Sequence, residues 1–259
     1  RDDVESRGLG DVYKRQHMIR EESTAAGIDM SQCMTVEGHP SSTYMSLLDE
    51  RGEMYVALSD MSVLQRMDME FIRRRESMIK GARLLVFDPA LPEAVVEGIT
   101  SQYGDALPLF CDPVSSAYAR RLKPYVGKVH TLKPNRMELT VLTGHDTDTP
   151  KGVKAACEIL LCRGVKRIFV SMGHEGCLYM DSEGNVVQRA LSPIENIANA
   201  SGAGDAFTAA VIYSYLKGFG INRTIDYALA AGAVAVSAAT TINPEISPEL
   251  IEKIIIERG

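Results

Sequence analysis

The stretch "RLLVFDPALPEAVVEGITSQYGDALPLFCD", residues 83–112, decides the fold. It opens with a short apolar run, "RLLVFD", that stops at Asp88, and closes with a second, "LPLFCD", that stops at Asp112. Between them "LPEAVVEGITSQYG" reads as a helix. A short buried strand, a helix and another short buried strand are the repeating unit of a parallel sheet. The alternation continues downstream. "VSSAYARRLKPYV" predicts a helix, "KVHTLK" a strand, and "NRMELTVLTG" and "TPKGVKAACEILLCRG" two helices. "VKRIFVSMG" then predicts a further strand. The class is therefore α/β, with a largely parallel central sheet flanked by helices. Ligands of such sheets collect beyond the carboxyl ends of the strands. Asp88, Asp112, Lys133 and Ser171 all stand near such ends.

Outward from this centre, "GCLYMDSEGNVVQRAL" reads as a hairpin with "DSEGN" as its turn. Three helical stretches follow, at 202–218, 223–239 and 247–257. Upstream, "MIREESTAAGIDMS" reads as the end of a helix stopped by Gly27. Runs at 43–48 and 54–58, joined by "DERGE", predict an antiparallel hairpin at about 42–59. "DMEFIRRRESMIKGA" predicts one helix, capped by Asp68 and ended by Gly81.

A chain of 259 residues with 45% apolar and 24% charged residues suits one globular domain with a substantial core. The net charge of −6 argues against a broad nucleic-acid surface, and no run of 18 apolar residues marks a membrane span. The expected partner is a small molecule. The five cysteines, Cys33, Cys111, Cys157, Cys162 and Cys177, lack paired metal spacing, and read as ordinary buried thiols in a reducing, cytoplasmic setting. Residues 1–16, "RDDVESRGLGDVYKRQ", show no clear period; they resemble a translated sequencing-adapter tail and are set apart as an extraneous or disordered leader. The domain is then 17–259.

Three stretches carry chemistry. In "NASGAGDAF", residues 199–207, Gly202, Ala203 and Gly204 precede a helix whose first turn holds Asp205. A helix start leaves unpaired N–H groups and a partial positive charge, and small residues let an anion approach them. A carboxylate there is placed to take a proton from an attacking hydroxyl. The same residues also suit a loop that merely caps a helix, with Asp205 favouring the dipole. The stretch is not a Walker A loop. In "KPNRMEL", Asn135 and Glu138 stand three apart at a helix start and suit a hard cation that keeps its waters; an N-cap asparagine with a solvent-facing glutamate is the alternative. In "VSMGHEGCLY", Ser171, Gly173 and Gly176 suit a phosphate or ribose contact, or a tight turn before the hairpin.

Together these stretches resemble the PfkB, or ribokinase-like, family of carbohydrate and nucleoside kinases. The resemblance implies a ribokinase-like fold with a small β lid hairpin, and ATP and Mg2+ as cofactors. It implies that Asp205 is the catalytic base, that the amides of Gly202, Ala203 and Gly204 form an anion hole, and that Asn135 and Glu138 organise magnesium through water. Ser171, Gly173 and Gly176 match the nucleotide-binding strand end and glycine loop, and Lys133 adds charge near phosphate unless it is merely an exposed lysine. The chain departs where Asn199 and Ala200 replace the usual Asp-Thr, so a K+ site at Asn199 is in doubt while the base is untouched. Small residues at 228–240 either flank adenine or allow close helix packing.

"YVALSDMSVLQRM", "FCDPVS" and "KVHTLKPNRMEL" resemble the pseudouridine-kinase branch, which implies transfer of the ATP γ-phosphate to a 5′-hydroxyl. Asp60 then touches the nucleoside or caps the next segment. Ribokinase and purine nucleoside kinase are the nearest alternatives, and a non-catalytic nucleoside-binding protein is a further one. His39 and His130 read as a loop and a packed strand histidine. The family's early strands, which bind the sugar hydroxyls, have no counterpart, so the N-terminal part of the domain is expected to be missing. Dimerisation through the lid, as in other members, is a further implication.

Overall fold

The computed structural model describes residues 15–48, 54–192, 201–238 and 240–258. Residues 15–25 are helical (α1), and Gly27 stops the helix at φ +83°, its N–H on Thr24 O at 2.9 Å. The lid strands β1 (Thr43–Leu48) and β2 (Met54–Asp60) pair antiparallel as a two-stranded sheet of their own.

The segment after the lid departs from the single helix expected. It forms α2 (Met69–Arg73), with Asp68 as its N-cap, and α3 (Glu76–Lys80), with Gly81 at the C-cap. The break has a local cause. The Arg75 guanidinium reaches back to Phe71 O at 2.9 Å, the carbonyl its own N–H would use in a continuous helix. It also lies 3.5 Å above the Phe71 ring and donates to Gln32 O at 3.0 Å. The Arg75 N–H turns instead to Ile72 O, closing a tighter turn.

The main sheet takes the order β3 (Leu85–Phe87), β4 (Leu109–Cys111), β5 (Thr131–Leu132), β6 (Arg167–Ser171), β7 (Cys177–Asp181), β8 (Val186–Arg189). β3 to β6 run parallel, and β7 and β8 add an antiparallel hairpin at one edge. The helices are α4 (Glu93–Tyr103), α5 (Ser116–Leu122), α6 (Arg136–Thr143), α7 (Pro150–Cys162), α8 (Ala203–Lys217), α9 (Ile221–Val236) and α10 (Pro248–Arg258).

Alternating strand residues divide the interior in two, because successive side chains leave opposite faces of a strand. Leu109, Ile168, Val170 and Leu178 join one core with residues of α4 to α7, such as Val96, Leu122, Leu139 and Leu160. Phe110, Phe169, Cys177 and Tyr179 join the other with Phe207, Val211, Ile225 and Ala228 of α8 and α9. The result is a three-layer arrangement with helices on both faces. α9 packs closely on α8; a side chain at Gly232 would come within 3.6 Å of Ala203 O. Gly232 of α9 thus lies against the start of α8.

The cysteines divide as well. Cys111, Cys157 and Cys177 are buried, whereas Cys33 and Cys162 are exposed, which corrects the expectation that all five are buried. Cys33 lies in the polar loop after α1, and Cys162 ends α7 on its outer side.

Candidate active site

The chemistry gathers where β4, β5 and β6 end and α8 begins. Gly202 is the N-cap of α8, in the left-handed region at φ +83°. A Cβ there would lie 2.1 Å from Thr241 O, so both the conformation and the packing require glycine. Gly202 has no side chain to cap the helix, and the first intrahelical bond runs from Ala206 N to Gly202 O. The N–H groups of Ala203, Gly204 and Asp205 thus lack an acceptor within the helix, and they concentrate positive potential at its mouth.

Lys133 lies under this mouth. A side chain at Gly204 would meet its Nζ at 3.4 Å. The lysine is buried, contrary to the reading of it as an exposed cation, and its ammonium pairs with Asp112 Oδ2 at 2.9 Å. The same carboxylate oxygen accepts from Thr208 Oγ1 at 3.0 Å, in the second turn of α8. One ion pair therefore ties the ends of β4 and β5 to the start of α8. For Asp112 the sequence offers one signal, an aspartate at a strand's carboxyl end, and for Thr208 none.

Asp205 stands in the first turn of α8 and is exposed. Its carboxyl is held above the ordinary aspartate value, first by desolvation from the atoms packed about it, then by Asp112; Lys133 pulls the other way and Asp88 adds to the rise. The residue keeps its solvent contact, so the direction matters here rather than the depth of burial.

Asn135 and Glu138 form a capping box at the start of α6. Asn135 Oδ1 accepts from Glu138 N and Glu138 Oε2 accepts from Asn135 N, both at 2.9 Å. The cap predicted as the alternative is real, but its glutamate is not solvent-facing: Glu138 is only 3% exposed. Burial raises its pKa, while the Asn135 N–H and the nearby Lys133 lower it. Glu138 Oε1 has no hydrogen bond among the described residues. No group of three His, Cys, Asp or Glu among them is close enough to hold a metal directly. A carboxylate oxygen and an amide oxygen at a helix start, without a closed cage, fit Mg2+ that retains its waters.

The third strand end completes the arrangement. Ser171 closes β6, and its N–H donates to Pro134 O at 3.0 Å, which places it beside Asn135. A 3-10 turn at Gly173–Glu175 follows. Its two glycines differ in role. Gly173 has φ +59° and open space where a Cβ would be, so it alone leaves room for a ligand. A Cβ at Gly176 would lie 2.0 Å from Arg189 O, so that glycine admits the backbone leaving β8.

Of the remaining sequence candidates, Asp60, His39 and His130 have other contacts among the described residues. Asp60 Oδ1 accepts from Ser62 N at 2.9 Å, where β2 gives way to the next turn. His39 bonds Arg66 in the loop near the lid. His130 stacks on Phe110, and burial pushes its pKa down to about 4, with Arg167 and Lys166 adding to the effect. Asn199 lies outside the described residues. A cleft of about 480 Å³ lined by Asp105, Lys128, His130, Arg163 and Lys166 opens at the opposite, amino ends of the strands. The site is therefore marked by its convergent chemistry and not by cavity size.

A family model for pfkB family carbohydrate kinases matches residues 13–248. The chain belongs to this family. Among curated relatives, the pseudouridine kinase of Escherichia coli is 30% identical over 240 residues, covering 92% of this chain and 75% of that protein. A putative sugar kinase from Clostridium perfringens is 29% identical, with a TM-score of 0.81 over 94% of this chain and 76% of the other. Arabidopsis thaliana ribokinase, solved with ribose and ATP, is 20% identical with a TM-score of 0.71, covering 84% and 70% of the two chains, and shares the fold. The PfkB chain described here accordingly has the ribokinase-like α/β fold. It is a phosphotransferase with an alcohol acceptor, and it moves phosphate from ATP to a sugar or nucleoside hydroxyl. Use of ATP and Mg2+ is typical of the family.

Proposed function

We propose that the acceptor is pseudouridine, phosphorylated on its 5′-hydroxyl. The observation that carries the reaction is the placement of Asp205 beside the open N-terminus of α8, with the Lys133–Asp112 pair beneath. The substrate assignment is supported by 30% identity to a pseudouridine kinase along 92% of this chain.

In this reading Asp205 accepts the proton of the 5′-hydroxyl as its oxygen attacks phosphorus. The amides of Gly202, Ala203 and Gly204 donate to the oxygens of the transferring group, where charge is spread in the transition state. Lys133 supplies fixed positive charge under those amides. Its pairing with Asp112 keeps the ammonium in one place at little reorganisation cost. Ser171 and Gly173 offer a hydroxyl and open space to the nucleotide. Asn135 and Glu138 would hold Mg2+ through water, which when bound neutralises phosphate charge. The exposed lid face of Met45, Leu47, Val56 and Leu58 is the surface a homodimer would cover.

A panel of pseudouridine, uridine, adenosine and ribose with radiolabelled ATP tests the assignment. Phosphorylation of pseudouridine should exceed that of ribose and adenosine at least tenfold in kcat/KM, about 1.4 kcal/mol of discrimination. A preference for ribose or adenosine would replace this reading with a ribokinase or purine nucleoside kinase.

A further inference from the structure

Arg136 stands at the first position of α6, directly after Asn135. A cation is disfavoured at a helix N-terminus, where the dipole presents positive charge. It is held there by an acid from another element. Arg136 Nη2 pairs with Glu175 Oε2 at 2.6 Å, across 39 residues of chain. The same nitrogen touches Met172 Sδ at 3.6 Å, and Arg136 Nε is buried without a hydrogen bond among the described residues.

Glu175 belongs to the 3-10 turn that follows β6. Met172 anchors the start of that turn in the core and Gly176 packs its end on the backbone leaving β8, but its middle has few other ties. Gly173 and Gly176, at its ends, are both left-handed, and His174 is exposed. Backbone bonds close it on itself: Glu175 N to Met172 O, Gly176 N to Gly173 O, and Met172 N to Gly176 O. Among the described residues, the Glu175 carboxylate makes the turn's ion pair to the rest of the protein, and Met172 Sδ, at the turn's N-cap, accepts from the same guanidinium. The tie runs to the helix whose N-terminus carries Asn135 and Glu138.

We propose that Arg136 and Glu175 are positioning residues: their ion pair clamps the glycine turn to the start of α6 and thereby sets the affinity for the nucleotide. The two surfaces that would flank the triphosphate are joined before ligand arrives, so less ordering accompanies binding. This rests on the reading of Ser171 and Gly173 as the nucleotide site. The pair is about one-third exposed, at 28% and 38%, so its effect is moderate.

Steady-state kinetics with ATP varied at saturating nucleoside test the clamp. Glu175→Gln and Arg136→Gln should each raise KM for ATP about fivefold and leave kcat within about twofold. The exchange Arg136→Glu with Glu175→Arg should recover most of the loss. Titration with a non-hydrolysable ATP analogue should show the same weakening. Unchanged KM in both single variants overturns the proposal, as does a fall in melting temperature with no change in KM. Gly173→Val separates the two layers. If it raises KM for ATP while the clamp variants do not, the clamp fails and the nucleotide site stands. If none of the three raises it, both fail.

Discussion

Replacing Asp205 with asparagine is expected to lower kcat about 1,000-fold while nucleotide binding persists. General-base catalysis contributes about 10²- to 10⁴-fold, and asparagine keeps the size of aspartate but cannot take the proton. The substitution also removes negative charge beside the helix mouth, so affinity for an ATP analogue should hold or increase. Single-turnover rates and a binding titration check both halves. Full activity in the variant would remove Asp205 as the base. The raised pKa adds a pH signature. The base must be ionised, so the acid limb of kcat/KM should lie above the ordinary aspartate value of 3.8. For stability the sign is the reverse of a salt-bridged acid. A carboxyl whose pKa is higher folded than unfolded binds more protons when folded, and its effect lowers stability as pH rises through that interval. The asparagine variant should lack this decline.

Lys133→Met has the second large effect. It leaves Asp112, only 18% exposed, with Thr208 as its remaining side-chain partner. Breaking a buried pair from one side costs about 3 kcal/mol, because the abandoned charge stays desolvated. In a chain of this size the melting temperature should fall by roughly 6 to 12 °C. The chemistry should move too. Lys133 lowers the pKa of both Asp205 and Glu138, so its loss should shift the acid limb of kcat/KM to higher pH. Asp112→Asn should shift it the other way, since Asp112 raises the pKa of both groups. Opposite shifts from the two halves of one ion pair would show that the pair sets the charge state of the base. A limb that stays in place in both variants would reduce the pair to a structural tie. Calorimetry and pH–rate profiles read the two effects separately.

The alternation in 83–112 announced the sheet because each strand there is apolar and ends in a charge or a turn. The Gly-Ala-Gly turn before α8 is a weak signal alone, because it also suits a loop that merely caps a helix; its resemblance to a family signature gave it weight. What stayed hidden depends on contacts between distant segments. Arg75 is also held by Gln32 O, 43 positions earlier, so "IRRRES" alone does not show that it reaches Phe71 O and breaks the helix. Lysine is usually exposed, so the burial of Lys133 became visible only with Asp112, 21 positions earlier, in place beside it. The Asn135–Glu138 spacing fitted both a cap and a cation site, and the structure supplies the cap while leaving one glutamate oxygen without a hydrogen bond among the described residues. The Arg136–Glu175 tie spans 39 positions and had no signal in either stretch alone.

The Asp112–Lys133–Thr208 junction also bears on how the enzyme is born. Its three members come from a strand end, a second strand end and a helix 96 residues beyond the first. Loop closure over such separations is slow, and local helices form long before it. The catalytic centre thus depends on the long-range packing of the sheet against α8, and a chain with full helical content but without that packing would be inert.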